Sequence, residues 1–156
     1  MRNETCCFTG HRKVPPEERA GITDRLERVI ISLYQQGIRA YEAGGALGFD
    51  ALAASTVIRL RRDYPDMKLI LVLPCLTQTR GWPAADVAEY ERIKGLADRV
   101  VYTSQAYTAG CMHKRNRHLV DNSSVCVCYL NRKNGGTAYT VDYAAKQRLE
   151  IINLAT

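Results

Sequence analysis

The chain has 156 residues, of which 46% are hydrophobic and 24% charged. That is enough for one compact core and too little for a second full-sized one, so a single domain over residues 1–156 is expected. Its apolar runs are far shorter than the roughly 20 residues that cross a bilayer, and the N-terminal stretch lacks the apolar centre of a signal peptide, which sets membrane and secreted classes aside. A net charge of +6 favours anionic partners, from nucleotides to nucleic acid, without choosing among them.

Residues 5–9 form a short apolar run closed by Gly10, which predicts a strand. A helix follows from Pro16, with Ile22, Leu26, Val29, Ile30 and Leu33 on one face. Pro15, Pro16, Glu17 and Glu18 suit its start, and Gly37 suits its stop. The cycle repeats with a strand at 39–43, a helix over about 48–62 and a third strand at 68–73. The third is almost wholly apolar, as expected of a parallel strand covered on both faces. Residues 74–83 form the longest irregular stretch, with Trp82 as a lid or interface residue. Val87, Tyr90, Ile93 and Ala97 mark the next helix, and a fourth strand lies at 100–102. A basic helix over 112–122, a strand at 125–129, a helix over about 137–146 and a last strand at 149–153 complete the chain. The alternation predicts an α/β fold: a Rossmann-like, doubly wound, mostly parallel sheet of about six strands with helices on both faces.

Five of the six cysteines, Cys6, Cys7, Cys75, Cys126 and Cys128, fall in or beside strand-like runs, where thiols act as small buried hydrophobes. Reduced cysteines fit a cytoplasmic protein. Neither the adjacent Cys6 and Cys7 nor the alternating Cys126 and Cys128 has zinc-ligand spacing, so no metal and no cofactor are expected.

In an open parallel sheet, ligands bind beyond the carboxyl ends of the strands. Those positions hold Thr9-Gly10-His11-Arg12 after the first strand, Gly44-Gly45-Ala46-Leu47-Gly48-Phe49-Asp50 after the second, and Asn134-Gly135-Gly136-Thr137 after the fifth. Glycine turns that run into helix N-termini bring unpaired N–H groups to a ligand, and phosphate is their natural guest. None of these loops reads G-x-x-x-x-G-K-[ST] or G-x-G-x-x-G, which disfavours a P-loop NTPase and an ordinary dehydrogenase. Arg12 and His11 are candidates to hold phosphate or ribose. Asp50, in the first turn of a helix, suits ribose binding and dipole stabilisation equally. Arg80 is a candidate clamp. Tyr102, Tyr107, Tyr139 and Tyr143 could equally stack on a base or edge the core. Arg59, Arg61, Arg62 and Lys68 form a basic patch that reads first as a solvated face and second as a nucleic-acid surface.

Together, Thr9 to Arg12, Gly44 to Asp50, Arg115-Asn116-Arg117 and Gly135-Gly136-Thr137 resemble the SLOG superfamily, most closely its YpsA-like branch, over nearly the whole chain. The superfamily also contains DprA, whose G-x-x-x-G-I-D segment is similar to Gly44 to Asp50, and the LOG phosphoribohydrolases, which release cytokinin bases from riboside monophosphates. Met112 to Asn116 resembles the LOG M-x-x-R-K helix, which places Arg115 on the catalytic arginine and Asn116 on the lysine. The P-G-G-x-G-T-x-x-E signature aligns with Asn134 to Asp142. Asn134 stands for proline, Ala138 for the third glycine, Tyr139 for threonine and Asp142 for the catalytic glutamate. The resemblance implies a sensor or regulatory domain that binds a nucleotide or a nucleotide-derived small molecule such as ADP-ribose, NAD or a nucleoside monophosphate. The alternatives are a LOG-like N-glycosidase using Arg115 and Asp142, and a DprA-like binder of single-stranded DNA. A homo-oligomer is left open.

Overall fold

The structure, a computed structural model, describes residues 2–156. Six strands, β1 (Thr5–Gly10), β2 (Ala40–Ala43), β3 (Lys68–Leu73), β4 (Arg99–Tyr102), β5 (Val125–Tyr129) and β6 (Glu150–Asn153), form one sheet in the order β4-β3-β2-β1-β5-β6. All five pairings are parallel. The connecting helices are α1 (Pro16–Gln35), α2 (Phe49–Leu60), α3 (Ala84–Leu96), α4 (Cys111–Asp121) and α5 (Gly136–Lys146). The chain is thus a Rossmann-like α/β domain of six parallel strands.

The period of two along each strand divides the core. Leu69, Leu71 and Leu73 of β3 join Phe8, Tyr41, Leu26, Ile30 and Val57 beneath α1, α2 and α3. Val72 joins Cys7, Cys126, Cys128, Leu119 and Ala144 beneath α4 and α5. Strand β3 reads as a continuous apolar run because each of its faces is roofed by a different helical layer. All six cysteines are buried free thiols, and burial pushes the Cys128 thiol up to about 12.

Element boundaries follow local backbone chemistry. Pro16 opens α1 without losing a needed donor, with Glu17 and Glu18 beside the positive end of its dipole. Gly37, at φ +104, closes it in a left-handed cap, with its N–H on the Tyr34 carbonyl and that of Ile38 on Leu33. The second helix starts at Phe49, one residue later than its pattern suggests, because Gly48 sits at φ +76. A Cβ there would lie 2.2 Å from the Arg12 carbonyl oxygen, so only glycine lets the loop after β1 cross the start of α2. That crossing is fixed by the Phe49 N–H, which donates to the His11 carbonyl at 3.2 Å. Leu149 lies outside β6 because its N–H is taken by Ala144 in closing α5.

Candidate functional site

The order of winding reverses between β1 and β5. The chain leaves β1 toward α1 on one face and leaves β5 toward α5 on the other, which opens a crevice at the carboxyl ends of the strands. A cavity of about 790 Å³ lies there, a size suited to a small organic ligand. Residues at or after the ends of four strands reach it: Thr9 and Gly10 at the end of β1 and His11 to Lys13 beyond it, Ala46 and Asp50 after β2, Gln78 and Trp82 after β3, and Asn131, Arg132 and Gly135 to Thr137 after β5. Helix α4 adds Met112, Arg115 and Asn116.

One end of the cavity presents donors. His11 is 4% exposed, and its Nε2 accepts the Asn131 backbone N–H at 3.0 Å. In a neutral imidazole that leaves the proton on Nδ1. Nδ1 faces Nη2 of Arg132 at 3.1 Å, so donor opposes donor. Protonating the second nitrogen offers no relief, because burial first, and then the Arg132 charge, lower the His11 pKa. An anionic oxygen seated beside the pair, within reach of each nitrogen, would accept from both. Alongside, Gly135 at φ +100 caps α5, and neither Gly135 nor Gly136 has any atom within 4 Å of where a Cβ would stand. The N-terminus of α5 therefore meets open space on the same side, with its unpaired N–H groups and positive dipole end.

The other end is organised around the turn from Gly44 to Ala46. The Gly44 carbonyl accepts from Nη1 of Arg115 and from Nε2 of Gln78 at 3.2 Å, while the N–H groups of Ala46 and Gly44 hold the Asp50 carboxylate. A Cβ on Gly44 would stand 2.6 Å from the Arg115 guanidinium, so any larger residue there would displace that side chain. Arg115 is 5% exposed and also donates from Nε to Oδ1 of Asn116 at 2.8 Å. Burial lowers its pKa, opposed by the Asp50 charge. Burial raises Asp50 to about 6, an effect tempered by Arg115 and by the two amides. Oδ1 of Asp50 and Oε1 of Gln78 are buried without a partner.

Aromatic and basic side chains flank the mouth. The Arg12 guanidinium carbon lies 5.8 Å from the centre of the Trp82 ring, and Trp82 stands edge-on against Tyr90. Tyr107 borders the cavity and is 68% exposed.

Of the residues singled out in the sequence, Thr9, Gly10, His11, Arg12, Asp50, Arg115, Asn116, Gly135, Gly136 and Thr137 line this cavity. Gly44 and Gly45 stand behind its wall. A Cβ on Gly45 would meet Leu73, and one on Gly10 would meet Phe49, so these glycines make room for protein. Arg80 and Asp142 are exposed and do not line the cavity. Tyr139 accepts from Arg117 at 3.0 Å, Tyr143 donates to Asp121, and Tyr102 lies beside Lys94. In the basic patch, Arg59 pairs with Glu27 and Arg61 with Asp98. Among the described residues no group of three His, Cys, Asp or Glu side chains could hold a metal ion, and no helix is long and apolar enough to cross a membrane.

Sequence reasoning missed Gln78, Asn131 and Arg132. All three follow strands β3 and β5, so the rule that ligands gather after strands reaches their segments, where it picked out Arg80 and the Asn134 to Thr137 turn instead.

The model of the YspA SLOG family matches residues 8–153. A UPF0398 protein of Bacillus thuringiensis (strain Al Hakam) is 31% identical over 135 residues, which cover 85% of this chain and 73% of that one. Two solved structures share the fold. DNA processing protein A of Helicobacter pylori, described for its single-stranded DNA binding mode, superposes with a TM-score of 0.69 at 18% identity over 97% of this chain and 65% of its own. DprA of Streptococcus pneumoniae gives 0.68 at 13% identity over 97% and 50%. The chain thus spans less than two thirds of either solved chain.

Proposed function

The chain belongs to the YspA SLOG family, and on that premise we propose that it binds a nucleotide or nucleotide-derived ligand at the crevice between β1 and β5, as a cytoplasmic sensor or regulatory domain. The observation that carries the reading is the donor end of the cavity. His11 Nδ1–H and Arg132 converge as two donors beside the open N-terminus of α5, and a phosphate oxygen reaching the pair from the cavity supplies the acceptor both need.

Two other readings are weaker on the same geometry. The N-glycosidase reading takes its carboxylate from Asp142, which is exposed and absent from the cavity wall; the carboxylate that does line the cavity is Asp50, outside the matched signature. Single-stranded DNA binding, the property named for the Helicobacter pylori neighbour, wants a basic and aromatic groove. The patch read for that role has Arg59 and Arg61 already paired with acids, and the basic and aromatic residues that do lie together, Arg12, Trp82 and Tyr107, stand at the mouth of the cavity.

Isothermal titration with AMP, ADP, NAD and ADP-ribose, beside an oligo-dT, tests the choice. At least one nucleotide is expected to bind, and Arg132→Ala is expected to weaken it by about 1.5–3 kcal/mol, the range for a charge-assisted hydrogen bond. Silence toward all four nucleotides, with tight and salt-sensitive binding of oligo-dT, would overturn the proposal.

A further inference from the structure

Two irregular segments reach the mouth of the cavity, and they are built differently. The segment after β3, residues 74–83, is held in place. Cys75 and Gln78 are buried, and the N–H groups of Leu76, Arg80 and Trp82 each donate to a backbone carbonyl. Gln78 Nε2 donates to the Gly44 carbonyl at 3.2 Å, and the Trp82 ring rests edge-on against Tyr90 with the centroids 5.6 Å apart. The segment after β4 is fixed only at its start, where the Thr103 N–H donates to the Leu73 carbonyl at 3.0 Å. Beyond that point, among the described residues, no backbone N–H from Ser104 to Gly110 donates to another backbone group. Every residue from Gln105 to Gly110 is exposed. The remaining tethers are the Gln105 and Thr108 carbonyls, which accept from Leu76 and Cys111, and Lys114 Nζ, which donates to Ser104 Oγ at 3.4 Å. A stretch of backbone so sparsely bonded and so exposed moves at little cost.

The far end of this segment is Gly110, which caps α4 at φ +81 and has no atom within 4 Å of where a Cβ would stand. Nothing packs against that joint, and glycine turns there without steric penalty. Helix α4 then runs straight into the cavity wall with Met112, Arg115 and Asn116. Between the fixed start and the free joint hangs Tyr107, which lines the cavity yet is 68% exposed. A large ring at a cavity mouth gains apolar contact when something fills the space beneath it, so an occupant favours the closed position over the open one. We propose that residues 104–110 form a lid that turns about Gly110 and lays Tyr107 over an occupied cavity. Trp82, expected from the sequence as a lid or interface residue, is by its seat against Tyr90 the part of the mouth that stays still. The lid rests on the nucleotide reading above for its occupant and adds how that occupant is retained: closure excludes water from the donor end and slows release.

The test is hydrogen exchange of the intact chain, alone and with AMP, ADP, NAD or ADP-ribose, joined to stopped-flow fluorescence of Trp82, the single tryptophan. In the free chain the amides of 104–110 are expected to exchange far faster than those of β3 and β4. With a nucleotide that binds, they are expected to slow by about tenfold or more, as a lid that has come to rest on its ligand. Tyr107→Ser is expected to raise the dissociation rate about tenfold and to leave association within about twofold, whereas Tyr107→Phe, which keeps the ring, releases at the wild-type rate. Strong protection of 104–110 in the free chain would overturn the lid, as would binding that leaves their exchange unchanged or release from Tyr107→Ser at the wild-type rate; each of these leaves nucleotide binding intact. Failure of all four nucleotides to bind would overturn both.

Discussion

Glu42 is a carboxylate that the proposed site does not use, and its titration can be worked through to a stability curve. It sits on β2 opposite Cys7 of β1 and Ile70 of β3, is 7% exposed, and leaves Oε1 without a partner. Burial raises its pKa from 4.5 to about 7, opposed by the charge of Arg99. The folded state therefore holds the proton more tightly than the unfolded one. The stabilising contribution of protonated Glu42 is fully present below about pH 4.5 and is lost as pH rises through about 7. The gap of about 2.5 units, at roughly 1.36 kcal/mol each, sets a ceiling of about 3 kcal/mol on what ionised Glu42 costs above pH 8. Glu42→Gln removes the charge but brings two donors that need partners, so we expect about 1–2 kcal/mol of stabilisation at pH 8.5. For a chain of this length that is roughly 2–8 °C in melting temperature. Glu42→Leu removes charge and donors together and is the companion variant. Thermal melts of all three proteins at pH 4.5, 6, 7 and 8.5 should show no gain at the acid end, growing to a plateau above pH 8. Asp50, also raised by burial, gives every one of these proteins a slope of the same sign, and it cancels in the difference. A gain that is constant across pH, or largest in acid, would refute the burial argument.

Two further substitutions probe the frame of the site. Gly44→Ala drives a methyl into the Arg115 guanidinium and should destabilise by about 1–3 kcal/mol, the usual cost of overpacking, measured by urea denaturation. Nucleotide binding should fall with it, because Gly44 also anchors Gln78 and Asp50. Arg148 holds φ +66 in the cap after α5, where Ala145 and Ala144 accept the closing N–H groups. Arg148→Gly should therefore add about 0.5–1 kcal/mol, and a lower melting temperature would count against a strained cap.

The architecture was legible because its signals are local. Pro16, Gly37 and the unbroken apolar run of β3 each fix an element within a few residues, and alternation of such elements leaves few topologies. The rule that ligands gather after strands likewise led to His11, Arg12, Asp50 and Gly135, which line one cavity. What stayed hidden depends on residues distant in sequence. Gly10 meets Phe49, and Gly44 meets Arg115, so a glycine turn that looks made to admit a ligand can instead admit another part of the chain. Arg115 was singled out by the family resemblance and not by any pattern on its basic helix, and the burial behind its choice shows only in the fold, where the carbonyls of Gly44 and Val72 accept from it. Arg132 carries no motif. Its role rests on a histidine nitrogen whose tautomer is set by the backbone amide of Asn131, 120 residues along the chain from that histidine.

The central position of β1 sets the order in which the molecule can be completed. Its partner on one side, β2, follows within the first helix-length of chain, whereas its partner on the other side is β5, with Cys6 in register with Val125. A half sheet of β1 to β4 can assemble as a ribosome extends the chain, since each of its strands adjoins the one before. The pairing of β1 with β5 must then close the longest loop in the sheet, an entropic step that slows folding. Until it closes, His11 has neither Asn131 nor Arg132 beside it. The strand pairing with the longest loop to close is therefore the one that assembles the donor end of the crevice, and ligand capture requires β1 and β5 to have met.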